Sequence, residues 1–244
     1  MRSANGPQTP FRPAAGCQAF AIAAALLTLP AVSAEAAFVT IDPAGINAIF
    51  SQPSFDGTPI DIEFLPTTTI VAPNLLVIKD LADLTALVDL APSPSPIVDA
   101  YFVDQVDACG FPEASAGGAF YGCAQLPGHV LVEESNAAAM DPATLMGHEL
   151  GHNLNLEHVP LAPDNLMSYF FPHGMDLTEE QVATILESPL VQTDAEGNRF
   201  IEIEPILISA PEPSTLPLIG VGLVGLLVAG ALTEARNQGH RPSS

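Results

Sequence analysis

Basic residues are nearly missing from this chain. Of its 244 residues only 6 are Lys or Arg, against 28 Asp and Glu, for a formal net charge of -22. A protein so acidic cannot neutralise phosphates and release their counterions, which excludes nucleic acid as a partner. Charged residues of both signs make up only 14% of the chain and hydrophobic ones 48%. That balance excludes wholesale disorder, while 24 Pro and 18 Gly point to a fold rich in loops. Cysteine is scarce as well: Cys17, Cys109 and Cys123 are the only three, and their spacing is not that of a zinc knuckle. No acidic run has the spacing of a calcium loop, and no internal repeat is visible. The length suits one domain of ordinary size with a real core.

The two ends read as processing segments. Arg2 and Arg12 precede an apolar run from Ala19 to Val32 that closes in Ser33-Ala34-Glu35-Ala36-Ala37. This is the pattern of a secretory signal peptide, so 1–36 is read as a leader that carries Cys17 away with it. Near the other end, Leu216 to Leu232 is uncharged and apolar, close to the ~17-residue lower limit for a transmembrane helix, and Arg236, His240 and Arg241 follow on the side that stays cytoplasmic. Pro211-Glu212-Pro213 stands just upstream. The order of Pro-Glu-Pro, apolar span and short basic tail resembles the PEP-CTERM sorting signal; a simple tail anchor is the alternative. The resemblance implies an exosortase-type processing enzyme as partner, and membrane contact through the C-terminal segment before processing. It also implies a protein exported to the cell surface or beyond after transient anchoring in the inner membrane of a Gram-negative bacterium. On this reading 211–244 is a sorting signal with a transmembrane segment, and 37–210 is the body.

Cys109 and Cys123 are then the only cysteines of a chain expected to leave the cytoplasm, and a disulfide between them is expected. Two free thiols or a pair of metal ligands are the alternatives. Within the body, Asp42-Pro43 with Ile46, Ile49 and Phe50 predicts a helix over Pro43 to Ser51. Alternation predicts a strand over Pro59 to Leu65, and apolar runs predict strands at Leu75 to Ile78, Ile97 to Val103 and His129 to Glu133. Leu81 to Leu90 is expected to be helical before the Pro-Ser-Pro-Ser-Pro loop at Pro92 to Pro96. Asp141-Pro142 opens a further helix, and Thr178 with Gln181 forms a capping box for a last one ending near Ser188. The class expected from this order is α+β, as an α/β/α sandwich.

The chemistry lies in His148-Glu149-Leu150-Gly151-His152-Asn153-Leu154-Asn155-Leu156-Glu157-His158. Residues four apart on a helix lie nearly one above the other, so His148 and His152 can present their imidazoles to one ion. Glu149 is adjacent but turned from direct ligation, where a carboxylate can take a proton from water. His158 would point to the opposite side of a continuing helix. To reach the same ion the chain must turn sharply, and Asn155 is the residue that tolerates the left-handed backbone such a turn needs.

This segment resembles the H-E-x-x-H-x-x-G-x-x-H motif of the metzincin endopeptidases, with Asn155 at the family's glycine. The resemblance implies Zn²⁺ held by His148, His152 and His158, with a position left open for water. Glu149 would then be the general base towards that zinc-bound water and the acid towards the leaving amine. Asn165-Leu166-Met167-Ser168-Tyr169 resembles the metzincin Met-turn, which implies Met167 beneath the ligands. Met-x-Tyr is similar to the astacin and serralysin branches, which implies that Tyr169 reaches the zinc. The implied function is a secreted zinc metalloendopeptidase acting on protein or peptide substrates; the alternative is a zinc-containing surface-binding or extracellular-matrix protein without turnover. The implied fold is a metzincin-like α/β/α sandwich with a mixed, mostly parallel sheet, an active-site helix and a small irregular C-terminal subdomain from about Val159. The strand from His129 is expected at the sheet edge beside the cleft, with His129 either touching substrate or facing solvent. Glu157 is expected on the surface and His173 in a loop.

Overall fold

Capping chemistry fixes where the helices begin. The Asp42 carboxylate accepts from the backbone N–H of Gly45 at the start of α1 (Pro43–Ile49), and Asp80 accepts from Ala82 and Asp83 at the start of α2 (Leu81–Val88). Helix α3 (Ser135–Met140) runs directly into α4 (Pro142–Asn153), whose first turn carries a proline. Thr178 and Gln181 complete a reciprocal capping box on α5 (Glu179–Leu186). These elements belong to a computed structural model that describes residues 37–90, 93–109, 120–169 and 171–211. The leader expected over 1–36 lies outside the described residues, as do all but the first residue of the C-terminal segment 211–244.

The strands are β1 (Ile60–Phe64), β2 (Thr68–Val71), β3 (Val77–Ile78), β4 (Val98–Val103), β5 (Gln105–Val106), β6 (Gly122–Ala124), β7 (Val130–Glu134), β8 (Gln192–Thr193) and β9 (Arg199–Ser209). The main sheet has the order β1-β9-β4-β7-β6, with β2 and β8 also paired to β9. β1, β2, β4, β7 and β9 run parallel, while β6 and β8 are antiparallel to their neighbours. This is a mixed α+β fold with a mostly parallel sheet.

All six residues of β4 are buried, as expected for a strand covered on both faces. Side-chain alternation sorts the core accordingly. Val98, Ala100, Phe102, Leu131, Ile201 and Ile203 pack with Ile46, Ile49, Leu145, Met146 and Leu150 of α1 and α4. On the other face Tyr101, Val103, Val130, Val132, Ile206 and Ile208 pack with Leu76, Ile78 and Leu87. His148 and His152 therefore sit on a helix pressed against one face of the sheet.

Three expectations change here. The region after Val159 is not uniformly irregular, because β9 enters the middle of the sheet between β1 and β4. Pro205 obscures this strand in the sequence, since a proline argues against a central strand. The structure accommodates it where β9 has no partner on that side. Ile203 carbonyl accepts from Leu65, Ser209 carbonyl accepts from Ala72, and Pro205 lies between, at the gap separating β1 from β2.

The strand from His129 is also not at the edge. β7 lies between β4 and β6, and the edge is β6. A disulfide joins Cys123 of β6 to Cys109, 14 residues earlier, with Cα atoms 5.6 Å apart. A loop of that order stabilises the fold by roughly 3 kcal/mol in the chain-entropy account.

The third correction concerns the membrane. Among the described residues no helix is long and apolar enough to cross a bilayer. α4, with 12 residues, rises only about 18 Å at 1.5 Å per residue, short of a hydrocarbon core about 30 Å thick. The stretch 216–232, on which the transmembrane reading rested, lies outside the described residues. The transmembrane helix, the membrane contact, the exosortase-type partner and the inner-membrane location are accordingly set aside.

Candidate metal centre

Helix α4 presents His148 and His152 from one face, and its end brings in the third imidazole. Asn155 takes φ +71°, in the left-handed region. Its N–H donates to the carbonyl of His152, and the N–H of Leu156 donates to that of Gly151. Together these two bonds form a Schellman motif, which stops the helix and reverses the chain. His158 comes back so that its Nε2 lies 3.1 Å from Nε2 of His148 and 3.2 Å from Nε2 of His152.

The same turn orients a ligand. Nδ1 of His152 lies 2.7 Å from the carbonyl oxygen of Leu156, and Nδ1 of His148 lies 2.7 Å from that of Leu166. A carbonyl oxygen only accepts, so each Nδ1 carries the proton and donates, leaving each Nε2 as a bare lone pair. Two bare nitrogens converge with a third that can offer at most one proton between them. That donor set calls for a cation, and the three imidazoles could coordinate a divalent metal ion.

Asn155 carries this geometry, which makes its substitution informative. Asn155→Gly is expected to fold at least as stably and to keep its metal, because glycine adopts φ > 0 freely. Asn155→Val should lose about 1–2 kcal/mol of stability, by the cost of a left-handed L-residue, and bind metal more weakly. Chemical denaturation with metal content measured alongside tests both; equal behaviour of the two variants would remove the turn from the argument.

Met167 is fully buried beneath α4, against the space where Gly151 lacks a side chain. Its N–H donates to Oδ1 of Asn165, and its carbonyl accepts from Val159. The side-chain amide of Asn165 in turn pairs in both directions with that of Gln181. The last helix is thereby tied to the turn that holds His148, a link with no signature in the sequence.

Tyr169 is 52% exposed, its ring lying 4.3 Å from that of His158 between centroids. His173, expected only in a loop, stacks on His148 with centroids 3.8 Å apart and planes 12° apart. Nothing in its spacing could have announced this contact. Glu157 is exposed. The backbone of His129 contacts Gln125 and Asp99, and no described contact joins it to the three histidines.

Glu149 is buried next to Gly122 of β6, where a side chain on residue 122 would collide with its carboxylate. Burial pushes its carboxyl up to about 8. Glu133 of β7 is pushed well up by burial and then by the charge of Glu149. Burial is also the main cause that lowers His152 to about 4 and that lowers His148, His158 and His173.

These shifts set a pH profile for the metal-free protein. A carboxyl raised in the fold contributes stability that is complete below its unfolded value of 4.5 and is lost as pH rises through its folded value, about 8 for Glu149. A lowered imidazole leaves the folded state with fewer bound protons than the unfolded one. Its contribution is lost as pH falls from 6.5 through the folded value, about 4 for His152. Thermal unfolding of chelator-treated protein is therefore expected to show maximum stability between the two unfolded values, 4.5 and 6.5. A midpoint rising steadily from pH 6.5 to 8 would contradict the buried, protonated carboxyls.

Compared with known proteins, the chain matches no family model, no curated protein and no solved structure. The site's own chemistry therefore carries the functional argument.

Proposed function

We propose that this chain is a zinc-dependent endopeptidase of metzincin type, with residues 37–210 as its catalytic body. The observation that carries the reading is the convergence of the Nε2 atoms of His148, His152 and His158 on one point, with the buried Glu149 next to the first of them in the chain. The all-imidazole donor set suits Zn²⁺, and with three protein ligands it is the set of a catalytic site, not of a closed structural one. The bound ion would act as a Lewis acid, polarising a peptide carbonyl and making water more acidic.

The residues of the chain do the rest. Glu149 removes a proton from the water as its oxygen bonds to the carbonyl carbon. It then delivers that proton to the amide nitrogen as the C–N bond breaks. A carboxyl brought towards neutrality by burial is suited to taking up and returning a proton within one turnover. Met167 and the backbone around it support His148 from below. Tyr169, whose ring lies against that of His158, would donate a hydrogen bond to the developing oxyanion.

Tyr169→Phe keeps the ring and removes only the hydroxyl. Zinc content and thermal stability should stay nearly unchanged while kcat falls by about ten-fold or more. Unchanged kcat, or a loss fully explained by lost metal, would take Tyr169 out of the mechanism. The reading as a whole is tested by incubating the purified protein with an unfolded protein substrate. Hydrolysis should stop with a chelator and return with zinc, and no cleavage by zinc-loaded protein would refute it.

A further inference from the structure

The central strand β9 carries carboxyls that face others directly across the sheet. Glu204 pairs in register with Asp99 of β4, and Glu202 with Glu63 of β1. Like charges set opposite each other in this way are destabilising. Asp99 and Glu204 stand two residues before Tyr101 and Ile206, so strand alternation turns both to the face which those two residues share. The two bases of the described residues lie elsewhere. Arg199 alternates with Ile201 and Ile203 on the opposite face. Lys79 follows β3, whose partner β5 continues from the C-terminal end of β4, while Asp99 is near the N-terminal end of β4. Asp99 is fully buried. Its Oδ2 accepts from the N–H of Ser93 at 3.0 Å, but its Oδ1, equally enclosed, has no partner among the described residues. A buried carboxyl oxygen left unpaired is costly, so its presence needs a reason. The Ser93 hydroxyl donates to Oε2 of Glu204 at 2.8 Å and the Thr68 hydroxyl to Oε1 at 2.6 Å. Ser93 thus bridges both carboxyls, and each hydroxyl, its proton spent on Glu204, keeps lone pairs to offer.

We propose that Asp99 and Glu204, together with the hydroxyls of Ser93 and Thr68, form a binding site for one calcium ion. Only oxygen donors gather here, two of the groups anionic, which suits a hard cation and not an ion that selects imidazole or thiolate. Magnesium demands a near-ideal octahedron and gives up its water reluctantly, whereas calcium accepts an irregular cage and longer bonds. The donors come from four segments: the loop before β4, β4 itself, the first residue of β2, and β9 beside Pro205. An ion there gives Asp99 Oδ1 its partner, cancels the repulsion between β4 and β9, and fastens β2 to the sheet just past the end of β1. The site lies on the sheet face opposite α4, so it is separate from the three histidines and does not depend on their reading.

The full chain, stripped by a chelator and dialysed, is titrated with calcium chloride alone, by calorimetry and by thermal unfolding. One calcium per chain should bind, with Kd of about 10⁻⁴–10⁻³ M, the range of sites with few charged ligands. The thermal midpoint should rise by about 3 °C or more in 10 mM calcium, and by less in 10 mM magnesium. Asp99→Asn and Glu204→Gln should each weaken calcium binding about ten-fold or more. Asp99→Asn keeps an acceptor for Ser93 and removes one of the facing charges, so its metal-free midpoint should lie above that of the wild type while its response to calcium is lost. A residue that only packed would not give this reversal. Glu204 is half-buried, so Glu204→Gln decides the matter if Asp99→Asn fails to fold. His158→Ala should respond to calcium as the wild type does. No calcium-dependent shift in the wild type, an undiminished shift in Glu204→Gln, or a shift abolished by His158→Ala would overturn the proposal.

Discussion

Glu149→Ala is expected to bind zinc in the same ratio as the wild type and to lose hydrolysis by about 10²- to 10⁴-fold, the usual contribution of a general acid–base group. The two halves of that result have separate causes. On the proposed reading zinc would be held by the three imidazoles, two of them oriented by backbone carbonyls, and none of these contacts involves Glu149. What disappears is the only buried carboxyl within the histidine motif itself. The variant should also be more stable without metal at pH 8, because a carboxyl raised to about 8 contributes least there. Metal analysis, kinetics on an unfolded protein and thermal unfolding at two pH values test all three. Near-normal turnover would refute the mechanism.

His158→Ala is expected to fail differently. Changing a group that merely orients a ligand commonly costs 10–100-fold in metal affinity, so losing a ligand should cost about 100-fold or more. His158 lies beyond the Schellman turn and is less buried than His148 and His152, so its truncation leaves the helix and the core intact. Activity should fall in step with zinc content and recover in part at high zinc, which Glu149→Ala cannot do. Equilibrium dialysis against a competing chelator gives the affinity directly. Unchanged affinity would mean that the ion sits elsewhere.

The local elements of the site were legible because each has a local cause. Residues 148 and 152 share a helical face, Pro142 stands in the first turn of that helix although Asp141 makes no side-chain cap, and Asn155 adopts the backbone that the turn requires. The neighbours of the site were not legible, because long-range packing chooses them. His173 reaches His148 from 25 positions away in the sequence. Glu133 reads in the sequence only as the end of a strand, and its burial becomes evident once β6 covers it. β9 was missed for a physical reason as well: a rule about proline in central strands fails where the neighbouring chain happens to be interrupted. The edge role of β6 rests on a pairing of only three residues, too short for its sequence pattern to announce.

The acceptors that orient His148 and His152 are both main-chain oxygens, of Leu166 and Leu156. No point substitution at those two positions can delete them, since every amino acid supplies the same carbonyl. A mutational scan across 153–166 should thus find exposed positions such as Glu157 and Leu161 tolerant, with losses confined to His158, the turn and the buried Asn153, Leu154, Leu156, Asn165 and Leu166. Chain length is another matter. Inserting or deleting one residue between His152 and Leu156 would turn the Leu156 carbonyl away from His152, and a change between His158 and Leu166 would displace the Leu166 carbonyl from His148. The architecture is forgiving of spelling and intolerant of changed spacing, and drift in this segment is expected to preserve the number of residues more strictly than their identity.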